Sequence, residues 1–229
     1  MTFRPATLLV PLLVAVASAA AAPGMSPGPP GPPDPILSRL QTRLETLKTL
    51  RGRFIQSLDA PALGRPRVEE GTFALKRPSM MRWEYETPEK KLAILDGRNS
   101  WLYLPEEREV HRGSIQELED AGAVTLMLAG RIKLTSDFRC RRLSLDEAGP
   151  QGVAGALVLE LVPVRPRGEF EKLILAVDPE RLLIRRLTVA GSAGDTMVFE
   201  FFDLDENVPL DDEQFRFEPP PGVEVIGSR

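Results

Sequence analysis

A chain of 229 residues with 42% hydrophobic content and a net charge of −4 has the size and composition of one β-rich domain with a substantial core. The mild acidity argues against nucleic acid, whose binding needs a concentrated basic footprint. The single cysteine, Cys140, excludes an internal disulfide, and one histidine with one cysteine cannot form a zinc site unaided.

Arg4 is the only charge before Asp34. An apolar run from Leu8 to Ala17 and an alanine-rich stretch to Ala22 complete the three parts of a secretory signal peptide, residues 1–22. The apolar run is shorter than the roughly 20 residues of a membrane span, so export to a soluble state is expected. Residues 23–33 are rich in proline and glycine and read as an extended linker, because proline cannot donate to a helix or a ladder. One domain is expected over 34–229. Asp34 can cap a helix and Pro35 suits its first turn, and Leu37, Leu40, Leu44 and Leu47 then recur at helical spacing to about residue 50.

Strands follow, predicted at 52–58, 68–76, 80–86, 91–96, 100–104, 108–112, 138–145, 156–162, 170–177, 182–190, 196–203 and 214–217. Short turns such as Asp96-Gly97 and Asp178-Pro179 separate them, which predicts antiparallel neighbours. Residues 115–129, rich in leucine and methionine, read as one or two short helices, and 205–213 as a third. The fold class is therefore mainly β with a helical lid: an incomplete antiparallel barrel of about eleven strands covered by about three helices. A barrel of that size leaves more interior than one layer of side chains fills. It flattens into a sandwich, is plugged by helices, or holds a ligand.

All four tyrosines and tryptophans lie close together. Trp83 and Tyr85 alternate in one strand, and Trp101 and Tyr103 in another. Residues two apart share a strand face, so an unusually aromatic face is expected. Nothing comparable points to catalysis. His111 has no Gly-x-Ser-x-Gly elbow beside it, no glycine loop cradles phosphate, and no carboxylate pair stands out. Neither enzyme activity nor a cofactor or metal is expected. His111 reads as a surface residue, the Arg139, Arg141 and Arg142 cluster as a solvated face, and Cys140 as a small core residue.

Several runs resemble the periplasmic outer-membrane lipoprotein carrier family of the LolA type. They are Phe54-Ile55-Gln56, Gly71-Thr72-Phe73-Ala74-Leu75-Lys76-Arg77-Pro78, Arg82-Trp83-Glu84-Tyr85, Asp96-Gly97 and Trp101-Leu102-Tyr103, with Phe215-Arg216-Phe217-Glu218-Pro219-Pro220-Pro221-Gly222-Val223 near the end. The resemblance implies a monomeric periplasmic chaperone that binds the acyl chains of lipoproteins in an apolar cavity. Such a carrier receives them from an inner-membrane ATP-driven transporter and delivers them to an outer-membrane lipoprotein receptor. It also implies that Arg77 pins the lid through hydrogen bonds to helix carbonyls. The cavity is expected to draw on Phe54, Phe73, Leu75, Met81, Trp83, Ile94, Trp101 and Tyr103. The lid is expected to offer Leu37, Leu40, Leu44, Leu126, Met127 and Leu128. A carrier of another lipid or glycolipid, or a lipid-sensing regulator, shares the same fold.

Overall fold

Alternation of apolar and polar residues from Leu50 onward sets the architecture. The computed structural model describes residues 35–114, 123–128, 132–165 and 170–227; the segments expected to be a signal peptide and a linker lie outside these. Helix α1 (Pro35–Thr46) leads into β1 (Thr49–Asp59), β2 (Arg67–Lys76), β3 (Met80–Thr87), β4 (Lys91–Asp96), β5 (Asn99–Leu104) and β6 (Glu109–Ser114). Two short helices, α2 (Ala123–Leu128) and α3 (Leu134–Asp137), precede β7 (Phe138–Leu143) and α4 (Leu145–Ala148). The chain closes with β8 (Leu157–Pro163), β9 (Lys172–Val177), β10 (Ile184–Ala190), β11 (Thr196–Glu206) and β12 (Glu224–Gly227).

All twelve strands join one sheet in the order β12-β6-β5-β4-β3-β2-β1-β11-β10-β9-β8-β7. Two meanders therefore meet where β1 pairs with β11, and the ends of the order are β12 and β7, so the barrel is open. Register shifts at Arg51/Arg53, Glu70/Gly71 and Ile184/Arg186 interrupt the ladders. Such irregularities concentrate twist and bend a sheet around its core. The concave face carries the main core. Leu50, Phe54, Phe73, Leu75, Met81 and Trp83 form one buried cluster with Leu37, Leu40 and Leu44 of α1, Met127 and Leu128 of α2, and Leu134 of α3.

Four local expectations are corrected. The proposed helix at 205–213 does not form, because β11 continues to Glu206 and the next element is a 3-10 turn at Asp212–Phe215. That turn also replaces the strand expected at 214–217. The final strand is β12, and it lies parallel to β6. The strand expected at 138–145 stops at Leu143, where Ser144 and Glu147 make a reciprocal capping box for α4. The helix expected to run to about residue 50 ends at Thr46. Of the helical stretch at 115–129, only Ala123–Leu128 falls among the described residues.

Gly71 shows how tightly the strands are drawn together. It pairs with Phe54 on one side and Tyr85 on the other, and an added Cβ would overlap the backbone carbonyl of Glu84. That clash cannot be relieved by a rotamer change. Gly71→Ala is expected to destabilise the protein by about 3 kcal/mol, measured by urea unfolding, because overpacking against backbone forces the strands apart. An unchanged midpoint would show that β2 and β3 have room to separate.

Candidate lid and apolar inner face

Six aromatic rings line the concave face. Phe54 stands edge-on to Trp83 and Tyr85, with ring centres 4.8 and 5.0 Å away. Phe73 stacks on Trp83 at 5.3 Å and meets Phe201 edge-on at 5.4 Å. Phe199 closes the group, 5.8 Å from Trp83. Phe199 and Phe201 were missed as site residues, although their spacing of two in a predicted strand was the available signal. Edge-on and offset contacts of this kind add about 0.5–1.5 kcal/mol each beyond the area they bury.

Of the eight residues expected to line the cavity, the structure gathers five: Phe54, Phe73, Leu75, Met81 and Trp83. Ile94, Trp101 and Tyr103 lie on the other face. The register explains this, since Trp83 opposes Ala93, while Ile94 opposes Arg82 and Trp101. On that outer face Phe217 packs 5.6 Å from Trp101 and 5.7 Å from Tyr103. Arg112 lies over the Trp101 ring at 5.0 Å. The Trp101 indole N–H donates to Asp96 Oδ2 at 2.9 Å, and backbone N–H groups of Arg98 and Asn99 donate to Oδ1. Burial works against the Asp96 charge, but these donors, led by Asn99, bring its pKa below the ordinary value.

The lid side is filled with apolar side chains rather than hollow. Leu37, Leu40 and Leu44 are buried against the rings, as are Met127 and Leu128. Leu126 belongs to α2, but its side chain lies outside the described ones. Two surface hollows, of about 530 and 410 Å³, lie elsewhere. The first sits on the outer side of β1–β3, between Arg53, Thr72 and Gln214, and touches the inner cluster only at Phe73. The second lies beside α1 at Arg39 and Thr42 and touches it only at Leu182. Among the described residues, helix side chains therefore lie over the face expected to line the cavity.

Arg77 sits in the turn between β2 and β3 and faces two helix ends. Its Nε donates to the carbonyl of Leu47 at 3.2 Å and its Nη2 to the carbonyl of Leu128 at 2.9 Å. Leu47 continues the hydrogen bonding of α1, its N–H bonding back to Arg43, and Leu128 is the last residue of α2. Both carbonyls belong to the four that a helix leaves unpaired at its C-terminal end. A cation there also meets the negative end of the helix dipole. Burial pulls the guanidinium below its ordinary pKa, opposed by the Glu45 carboxylate, and arginine remains charged throughout the physiological range. Helix α1 has further ties: the backbone N–H of Leu134 donates to Gln41 Oε1 at 2.6 Å, Lys133 pairs with Glu45 at 2.8 Å, and Arg43 pairs with Glu206.

The remaining candidates lie apart from this group. His111 sits beside Glu109 on β6, with Nε2 3.3 Å from the carboxylate. Cys140 packs half-buried against the core, and Arg141 pairs with Glu147 and Glu160. Among the described residues no cluster of three potential metal ligands occurs.

Comparison with known proteins agrees with this geometry. The family model for the outer membrane lipoprotein carrier protein LolA matches residues 45–218. An outer-membrane lipoprotein carrier protein from Nitrosospira multiformis is 28% identical over 194 residues, covering 84% of this chain and 88% of its own length. One from Pseudomonas aeruginosa is 31% identical over 196 residues, covering 83% and 86%. The crystal structure of an uncharacterized conserved protein from Thermus thermophilus shares the fold, with a TM-score of 0.52 at 12% identity over 83% of this chain and 96% of that one. With an open sheet, an aromatic concave face under helices and a family match over most of its length, the chain belongs to the outer membrane lipoprotein carrier protein LolA family.

Proposed function

We propose that this protein is a periplasmic carrier that takes up the acyl chains of lipoproteins on its inner face and shuttles them from the inner to the outer membrane. The observation that carries this reading is the cover of the aromatic face: it consists of apolar helix side chains held by side-chain hydrogen bonds and ion pairs, those of Arg77 among them, not by continuous backbone pairing. Leucine side chains and acyl chains are chemically equivalent to an aromatic wall. Each buried methylene contributes about 0.8 kcal/mol, so a long acyl chain can replace several leucines at little net cost. On this reading the cargo arrives from an ATP-driven inner-membrane transporter and leaves to an outer-membrane receptor, and the first 22 residues direct export.

Arg77 acts as the latch of the empty state. Its two helix-end hydrogen bonds exist only while the lid is closed, so they favour release by stabilising what remains after the cargo departs. An Arg77→Leu protein is expected to bind a triacylated lipoprotein and to transfer it to an acceptor at least tenfold more slowly than wild type. The corresponding loss is about 1.4 kcal/mol, within the range for hydrogen bonds from a charged donor. Normal transfer would remove Arg77 from the mechanism.

The location of the cargo is testable because the chain has two tryptophans on opposite faces. A triacylated lipoprotein mixed with the mature protein is expected to stay soluble as a one-to-one complex. When its acyl chains are brominated they should quench Trp83 in a Trp101→Phe variant and leave Trp101 bright in a Trp83→Phe variant. Aggregated cargo would overturn the carrier reading, and quenching of Trp101 alone would place the lipid outside.

A further inference from the structure

The concave face is not apolar to its end. Along β1–β4, on the side away from Arg77, the row of Phe54 and Gly71 continues into Tyr85 and Lys91, and the row beyond it holds Gln56 and Glu69. Gln56, Glu69 and Tyr85 are only 7, 5 and 7% exposed. The Tyr85 hydroxyl donates to Gln56 Oε1 at 2.9 Å. Glu69 Oε1 accepts from Lys91 Nζ at 2.5 Å and from Arg67 Nε at 3.1 Å, and Arg67 also pairs with Glu89 at 3.0 Å. The Lys91 ammonium lies 4.5 Å from the centre of the Tyr85 ring. The same end of β8–β11 stays apolar, with Met197, Val189, Leu173 and Leu161 in successive register.

Burying three polar side chains, with Lys91 partly buried beside them, where leucine would pack is costly without a use for them. Two features indicate the use. The amide nitrogen of Gln56 donates to no described residue, which leaves donors free beside the rings. The corner also reaches solvent, since the Lys91 and Arg67 side chains keep 19 and 35% of their exposure. It is thus the place where an apolar trough meets water, as the junction of an amphiphile does. Two cations there are matched by two carboxylates, so the corner offers hydrogen-bond donors but no net charge. We infer that the Gln56 amide, oriented by the Tyr85 hydroxyl and flanked by the Lys91 ammonium, forms a subsite for uncharged acyl carbonyls, the ester and amide groups where the chains of a bound lipid join its polar part. This rests on the carrier reading above and adds an orientation to it: tails over Phe54 and Trp83, junction at Gln56. A phosphate would instead meet the Glu69 carboxylate.

The test compares wild type with a Gln56→Leu, Tyr85→Phe double variant, which removes both partners of one bond and leaves neither unpaired. The probes are a tripalmitoylated cysteinyl peptide, dipalmitoyl phosphatidic acid and hexadecane. The double variant is expected to bind the peptide about tenfold more weakly and hexadecane as wild type does. Wild type is expected to prefer the peptide to phosphatidic acid. Tyr85→Phe alone removes a hydroxyl and no bulk, and is expected to weaken the peptide about threefold, so the test survives if the double variant does not fold. Equal weakening of peptide and hexadecane, or unchanged peptide binding, overturns the subsite while leaving the carrier reading intact. A preference of wild type for phosphatidic acid overturns the choice of carbonyls. Failure of wild type to bind the peptide at all overturns both.

Discussion

The constraint on which this molecule depends is that an aromatic concave face cannot be left open to water. Phe54, Phe73, Trp83, Phe199 and Phe201 present a continuous apolar wall, and among the described residues every strand belongs to the one sheet that carries them. The wall is covered by side chains from α1, α2 and α3. Burying Leu37, Leu40 and Leu44 contributes about 1.5–3 kcal/mol apiece, a sum comparable to the stability of a whole domain. A cover of that strength lifts only when something equally apolar takes its place. Under the proposed carrier function, uptake and closure are an exchange between two apolar partners for one wall, and small polar terms decide which prevails.

Arg77 supplies such a term because of where the chain turns. The β2–β3 connection brings it to the rim where α1 and α2 both end, and a planar guanidinium reaches the Leu47 and Leu128 carbonyls at once. A lysine ammonium would offer donors around a single point and could not span the two helix ends with the same fixed fork. The bonds are only partly shielded from solvent, which keeps their net contribution to a few kcal/mol at most. That is large enough to bias an exchange between near-equal apolar covers and small enough to be overcome when one of them is a lipid.

Much of the fold was legible in the sequence because alternation has an unambiguous period. What alternation cannot report is which face of one strand continues onto the next. Trp83 and Tyr85 share a face, as do Trp101 and Tyr103, yet the pairings through Ala93 and Ile94 put the two pairs on opposite sides of the sheet. The reason Trp101 and Tyr103 are aromatic lies at Phe217, more than a hundred residues away, which covers them from outside. The same long reach hid β12, whose parallel pairing with β6 has no local signature. The Ser144–Glu147 capping box was readable and was overridden by an apparent strand. Arg77 was not readable from chemistry at all: a lone arginine at a strand end is ordinarily a surface residue, and only its setting before Pro78 in a run resembling a known family singled it out.

The outer face carries a layer that holds the sheet independently of the helices. After β11 the chain runs back across the outside of β2 and β3. Lys76 Nζ donates to the Leu210 carbonyl at 2.6 Å and pairs with Asp212, and Arg82 donates to the Gln214 carbonyl at 3.1 Å. Phe215 is buried beneath this strap, and Phe217 and β12 extend it to β5 and β6. The strands that bear the aromatic wall are thus held on their convex side by contacts that involve none of the helices. A sheet secured only by its lid would loosen whenever the lid opened, and the latch turn would lose its aim. Because Lys76 faces the strap and its neighbour Arg77 faces the helices, the turn is fixed from outside while it grips inside. Under the proposed function, an outer layer separate from the helices lets the same wall serve two occupants.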